Sequence, residues 1–195
     1  MVHASEDVSV PLTTRSGRRL MVRKLRSDDT ERLVQLFYAL SSESRYRRFF
    51  APLDHVDPQM VHREARRLAR IDPECEAALA AVEQTPDGEA IVAVARYKQL
   101  EESAEGAEAS IVVRDDYQGD GVGGQLFDLL VQMALTTGMR HLILLTHADN
   151  QGLIGLVRRT GMPYRGAYTS GLYEIDMPLI DGITPYFPYS GRTVS

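Results

Sequence analysis

Apolar positions recur along the chain in runs whose spacing changes from segment to segment. Leu20, Val22 and Leu25 have the spacing of a short strand. Leu33, Val34, Leu36, Phe37 and Leu40 then follow a helical period, after Asp28 and Asp29, which are suited to an N-cap. A second helix is expected after Pro58, with Arg63, Glu64, Arg66 and Arg67 as its polar face. From Ala77 to Val82 and from Ala90 to Tyr97 the runs become short and β-compatible, and Thr85-Pro86-Asp87-Gly88 between them has the chemistry of a hairpin turn. The acidic segment Glu101 to Gly106 separates this hairpin from a strand at about Ala107 to Val113, so three consecutive antiparallel strands are expected. A glycine-rich turn leads into an amphipathic helix through Leu126, Leu129, Leu130, Met133 and Ala134, closed by Gly138. His141 to Thr146 reads as a strand, residues 150 to 160 as a helix weakened by Gly152 and Gly155, and residues 164 to 177 as two strands around Ser170-Gly171. This order predicts an α/β (α+β) domain with a mixed, mostly antiparallel sheet of about six to seven strands flanked by helices.

A length of 195 residues fits one domain with tails. Residues 1–17 are polar and aperiodic and read as a mobile tail, residues 18–182 as the single domain, and residues 183–195 as a C-terminal tail. The aromatic, proline-punctuated stretch Pro185-Tyr186-Phe187-Pro188-Tyr189 would pack on the domain or on a second copy in a homodimer. No apolar run approaches a bilayer span, the first residues lack the features of a secretory signal, and Cys75 has no cysteine partner, so a cytoplasmic, non-membrane protein is expected. The net charge of −5 argues against nucleic-acid binding. It is unevenly spread: residues 1–70 carry 14 Lys+Arg against 9 Asp+Glu, so the basic first part could serve an anionic ligand. His3, His55, His62, His141 and His147 show no ligand spacing, so no metal is expected. Cys75 reads as a small packing residue rather than a nucleophile.

The most informative stretch is Val112-Val113-Arg114-Asp115-Asp116-Tyr117-Gln118-Gly119-Asp120-Gly121-Val122-Gly123-Gly124, between a strand and a helix. Glycines there let the backbone approach a ligand closely, and the first helical turn offers unpaired N–H groups at a positive dipole end, which suits phosphate. No Gly-Lys-Ser/Thr follows, so the stretch is not a Walker A loop. Gly119, Gly121 and Gly124 satisfy the dinucleotide pattern G-x-G-x-x-G. Against that reading, Arg114 to Gln118 intervene after the strand, and the nearest acidic candidate, Asp149, falls late. A turn without function is a third reading, though four glycines in six residues make a costly entry into a helix.

Gln118-Gly119-Asp120-Gly121-Val122-Gly123 resembles the Q-x-x-G-x-G pyrophosphate loop of the GNAT superfamily of acyl-CoA-dependent N-acyltransferases. The resemblance runs from about Arg19 to Pro178 in that family's element order, and Asn150 with Arg158-Arg159-Thr160-Gly161-Met162 is similar to a downstream family segment, Met162 replacing the usual Phe. Leu40-Ser41-Ser42-Glu43-Ser44-Arg45-Tyr46-Arg47-Arg48-Phe49-Phe50 resembles a stretch of the bacterial protein lysine acetyltransferase (Pat) subgroup. The resemblance implies acetyl-CoA as donor, its pyrophosphate on the amides of Gly119, Asp120, Gly121, Val122, Gly123 and Gly124, and its pantetheine along Val112 and Val113. Asn150 would bond the pantetheine arm, cap the following helix, or both.

Acyl transfer to an amine of pKa about 10.4 requires deprotonation, costing about 4.6 kcal/mol at neutral pH without assistance. Glu108, on the strand feeding the loop, stands where Pat-like members place a general base; the other reading is a solvated acidic hairpin with Glu101, Glu102 and Glu105. Many family members carry a tyrosine as general acid where this chain has Val157, so water is the expected proton donor to the leaving thiolate. Arg45, Arg47 and Arg48 would contact a CoA phosphate or an acidic substrate, or form a solvated helical face. The expected acceptor is an amine, a protein lysine first; a small-molecule amine acetyltransferase and a catalytically weak acyl-CoA-binding module are the alternatives.

Overall fold

The computed structural model describes residues 9–180. Strands β1 (Val10–Thr13), β2 (Arg19–Lys24), β3 (Glu76–Thr85), β4 (Gly88–Leu100), β5 (Ser103–Val113), β6 (His141–Thr146), β7 (Arg165–Thr169) and β8 (Leu172–Pro178) form one sheet in the order β1-β2-β3-β4-β5-β6-β8-β7. Every neighbouring pair is antiparallel except β5 and β6, which run parallel. Among the described residues five α-helices accompany them: α1 (Thr30–Ala39), α2 (Ser42–Phe49), α3 (Pro58–Ala69), α4 (Val122–Thr136) and α5 (Gln151–Arg159).

Among the described residues the sheet has eight strands rather than six or seven because Val10–Thr13, inside the stretch expected to be a mobile tail, pairs with Arg19–Lys24. The turn between them closes at Gly17, whose φ of +89° favours glycine. The aromatic segment expected as a C-terminal tail lies outside the described residues. Helix α2 was not visible as a periodic pattern because none of its residues is buried. Asp29 also departs from expectation: its side chain does not cap α1 but is buried, bonded to Arg23 at 2.7 and 2.8 Å.

The two faces of the sheet carry separate cores. Leu126, Phe127 and Leu130 of α4 and Ile154 and Val157 of α5 pack on one face. On the other, Leu33, Val34 and Leu36 of α1 and Val61 and Ala65 of α3 cover Ala80, Val82 and Val94. The feature that makes a site is the seam between β5 and β6. Pairing there covers only Gly106, Ala107 and Glu108 against His141, Leu142 and Ile143, after which the strands part and one edge of β5 is left open. Among the described residues no helix is long and apolar enough to cross a membrane.

Candidate active site

A cavity of about 400 Å³ fills the gap where β5 and β6 diverge. Glu108 to Val113 form one wall, Leu145, Thr146 and Asn150 another, the glycine loop one end and α2 the roof. The loop is braced from behind. Asp120 turns its carboxylate away from the cavity to accept bonds from Ser16 N at 2.7 Å and Ser16 Oγ at 2.6 Å, with Arg18 Nη2 at 3.2 Å. The bonds from Ser16 hold its pKa down at about 2. Arg15 donates from its backbone to Asp120 O at 2.9 Å and from Nη1 to Gly119 O at 3.2 Å. The β1–β2 turn, expected to be part of a tail, is thus the buttress of the loop.

Helix α4 begins without a side-chain cap, its N-cap Gly121 being left-handed with φ +89°. Its first-turn N–H groups therefore carry no side-chain cap among the described residues and lie at the positive end of the helix dipole. Gly123 and Gly124 let neighbouring side chains pack close to this turn: a Cβ on Gly123 would crowd Val113 Cγ2 at 3.3 Å, and one on Gly124 would fall inside the Arg159 guanidinium. An uncapped glycine entry into a helix, facing a cavity of this size, fits a pyrophosphate.

Of the residues expected to bind a donor, Val112, Val113, Gln118, Gly119, Gly121, Gly123, Gly124 and Asn150 line this cavity. The side chains of Asp120 and Val122 do not: Asp120 is the strut just described and Val122 is core. Only their backbone amides remain available to a ligand. Gln118 has a local function, its Nε2 donating to Val113 O and to Ser44 Oγ, both at 3.0 Å. It thereby ties the loop to β5 and to α2. Asn150 caps α5 by accepting from Leu153 N at 3.1 Å and donates to Thr146 Oγ1 at 2.9 Å. One amide N–H and one lone pair remain, so capping does not exhaust it.

Glu108 lines the same cavity and is exposed there to water. Val157 is fully buried in the core and carries no acid to the cavity. Asp115 accepts from Ser41 N at 2.9 Å and from Ser41 Oγ and Ser44 Oγ at 2.7 Å each, locking α2 over the site. That clasp places Arg47 and Arg48 on the cavity, whereas Arg45 turns inward to donate to Phe37 O at 3.0 Å and Tyr38 O at 3.1 Å. On the far side of the cavity Tyr46 of α2 stacks on His147 at 4.7 Å, joining α2 to the end of β6.

Sequence reasoning missed Arg15, Ser44, Thr146 and Arg159 as cavity residues. Ser44 and Arg159 carried a signal, as parts of the quoted Leu40–Phe50 and Arg158–Met162 segments, whereas Arg15 and Thr146 carried none. Arg159 Nη2 reaches Asp128 Oδ2 at 3.3 Å beneath the first turn of α4. Among the described residues no group of three His, Cys, Asp or Glu could hold a metal ion.

Comparison with known proteins matches residues 19–163 to the family described as "Acetyltransferase (GNAT) domain". Acetyltransferase PA5475 of Pseudomonas aeruginosa is 30% identical over 138 residues, 70% of this chain and 71% of the relative. Acetyltransferase Pat of Mycolicibacterium smegmatis is 28% identical over 92% of this chain, which spans only 52% of that longer protein. Among solved structures, the GNAT domain of S. lividans PAT superposes with a TM-score of 0.74 at 28% identity, covering 88% of this chain and 97% of that one. The open β5 edge, the uncapped glycine entry to α4 and the matched family model agree, and the chain belongs to the GNAT acetyltransferase family.

Proposed function

We propose that the protein moves an acetyl group from acetyl-CoA to a primary amine, with Glu108 as general base. The observation that carries this reading is the sharing of one cavity by Glu108 and the uncapped first turn of α4. The donor's pyrophosphate meets the amides of residues 119–124, and its pantetheine lies along Val112 and Val113, adding to the open edge of β5 as a strand would. Because Val113 O already accepts from Gln118, the pantetheine uses the second lone pair there or the other open groups of the edge. Asn150 offers its spare amide N–H to the same arm.

The amine nitrogen attacks the thioester carbonyl carbon, a C–N bond forms and the C–S bond breaks. Glu108 takes one proton from the ammonium, directly or through water at its exposed face; the second, lost from nitrogen after the C–N bond forms, reaches the leaving thiolate through water, and the thiolate's pKa of about 8.5 makes it a fair leaving group. A protein lysine is the acceptor implied by resemblance to the Pat subgroup. A small-molecule amine is the second reading, favoured by a further cavity that meets the donor cavity at Arg48. The test is Glu108→Gln: acetyl-CoA should bind as before while kcat falls by about 10²- to 10⁴-fold. Unchanged turnover at saturating substrates would remove Glu108 from the chemistry.

A further inference from the structure

The second cavity, of about 310 Å³, lies between the sheet and helices α1 and α3. Leu36, Phe37 and Leu40 of α1, Val61 of α3 and Val94 of β4 give it an apolar lining. Arg48, Ser110 and Val112 line both cavities, so the two meet at those residues. Ser110 and Val112 lie on the same face of β5 as Glu108, two and four residues on, so Glu108 flanks the junction.

Three arginines border the second cavity, and two are paired with carboxylates. Arg67 pairs with Glu64 at 2.9 Å and Arg96 with Glu76 at 2.9 Å. Arg48 makes no hydrogen bond or ion pair among the described residues; its guanidinium lies 5.2 Å from the Phe49 ring. Burial, then the charges of Arg96 and Arg67, lowers its pKa to about 10, while the charge of Glu108 acts in the opposite direction. Arg48 is therefore still a cation at neutral pH, held against two others and beside apolar walls. Arg48 is half-buried and unpaired on the wall of both cavities, where an incoming carboxylate could meet it with a bidentate pair.

Resting on the acetyl-transfer reading above, we propose that the second cavity binds the acceptor, and that the acceptor is a free α-amino acid with an apolar side chain. Its carboxylate pairs with Arg48, its side chain enters the apolar cavity, and its α-amine lies at the junction, facing Glu108 and the donor thioester. One carbon separates the carboxylate and amine of such a molecule, so a neighbouring cation and carboxylate can hold both ends of one zwitterion. A peptide-linked lysine offers no carboxylate, and four methylenes separate its amine from the backbone. The product is the N-acetyl amino acid; CoA leaves as the thiol and one proton from the α-ammonium is released through Glu108.

The test follows CoA thiol release by the full chain with acetyl-CoA and three acceptor sets: L-leucine, L-methionine and L-phenylalanine; their carboxamides; and a lysine-containing peptide. The free acids should exceed their carboxamides in kcat/KM by roughly 30-fold or more, the scale set by loss of a buried charge pair. This preference opposes intrinsic reactivity, because the amine of an amide is the more easily deprotonated. Arg48→Gln should abolish the preference by lowering kcat/KM for the acids alone. Equal rates for acids and carboxamides, or activity confined to the peptide, would overturn the assignment while leaving the acetyl-transfer reading intact. Tighter binding of hexanoyl-CoA than acetyl-CoA, with no acid preference, would give the cavity to the donor's acyl chain and overturn it too. Absence of thiol release with every amine would refute acetyl transfer itself, and the acceptor assignment with it.

Discussion

Asp128 on α4 is only 3% exposed, and its one cationic partner among the described residues, Arg159, is 3.3 Å away with a side chain 37% exposed. Burial pushes the Asp128 carboxyl from its ordinary 3.8 up to about 6, against the pull of Arg159. The native protein therefore holds this proton where the unfolded chain has lost it, and stability falls as pH rises from about 4 through about 6. Above that window the ionised carboxylate costs about 3 kcal/mol. Replacing it with a neutral amide of the same shape, Asp128→Asn, removes the pH-dependent part; the amide can still accept from Arg159. Allowing for the lost charge attraction, the substitution should stabilise the protein by about 1–3 kcal/mol at pH 7.5, raising the melting temperature by about 3–10 °C. Urea denaturation of both proteins from pH 4 to pH 7.5 gives the difference at each pH, in which all other titrations cancel. The advantage should grow with pH and level off above 7. A pH-independent difference, or destabilisation at pH 7.5, would refute the argument.

Arg23→Met should be the most damaging single change outside the site, because it leaves the fully buried Asp29 without the cation that bonds both its oxygens and frees Glu89 as well. A loss of about 3–5 kcal/mol is expected, read as a melting temperature lower by about 6–20 °C. Asn150→Asp keeps an oxygen for Leu153 N and the cap of α5 but removes the amide donor. Its melting temperature should change by under about 2 °C while acetyl-CoA affinity falls about tenfold, measured by calorimetry; unchanged affinity would leave Asn150 a cap only. Gly121→Ala should cost about 1–2 kcal/mol through its left-handed backbone, with no steric clash because the nearest atom to a Cβ there is 3.5 Å away.

The strands and helices that bury one face were legible because their apolar periods are clear: α4 and the three-stranded meander β3-β4-β5 fall where the pattern places them. The glycine loop was legible through its residue types. Helix α2 was not, since Ser42–Phe49 buries nothing and is held by Asp115, 66 residues and more beyond its end. Strand β1 escaped notice for a related reason: only Leu12 of its four residues is buried, and its partner edge is defined by pairing rather than by pattern. Asp29 was read as a cap because local spacing favours one, whereas Arg23, buried on the preceding strand β2, claims its carboxylate. The junction of the two cavities at Arg48 depends on long-range packing and has no sequence signature.

Thermal melting of the protein with acetyl-CoA, CoA, NAD or no ligand tests the donor cavity most directly. A ligand at about 100 times its dissociation constant adds about 2.7 kcal/mol, or about 5–10 °C for a chain of this size. Both CoA species should produce that shift and NAD none. A shift with NAD alone would return the glycines to a dinucleotide site and contradict the assignments of Glu108 and Asn150.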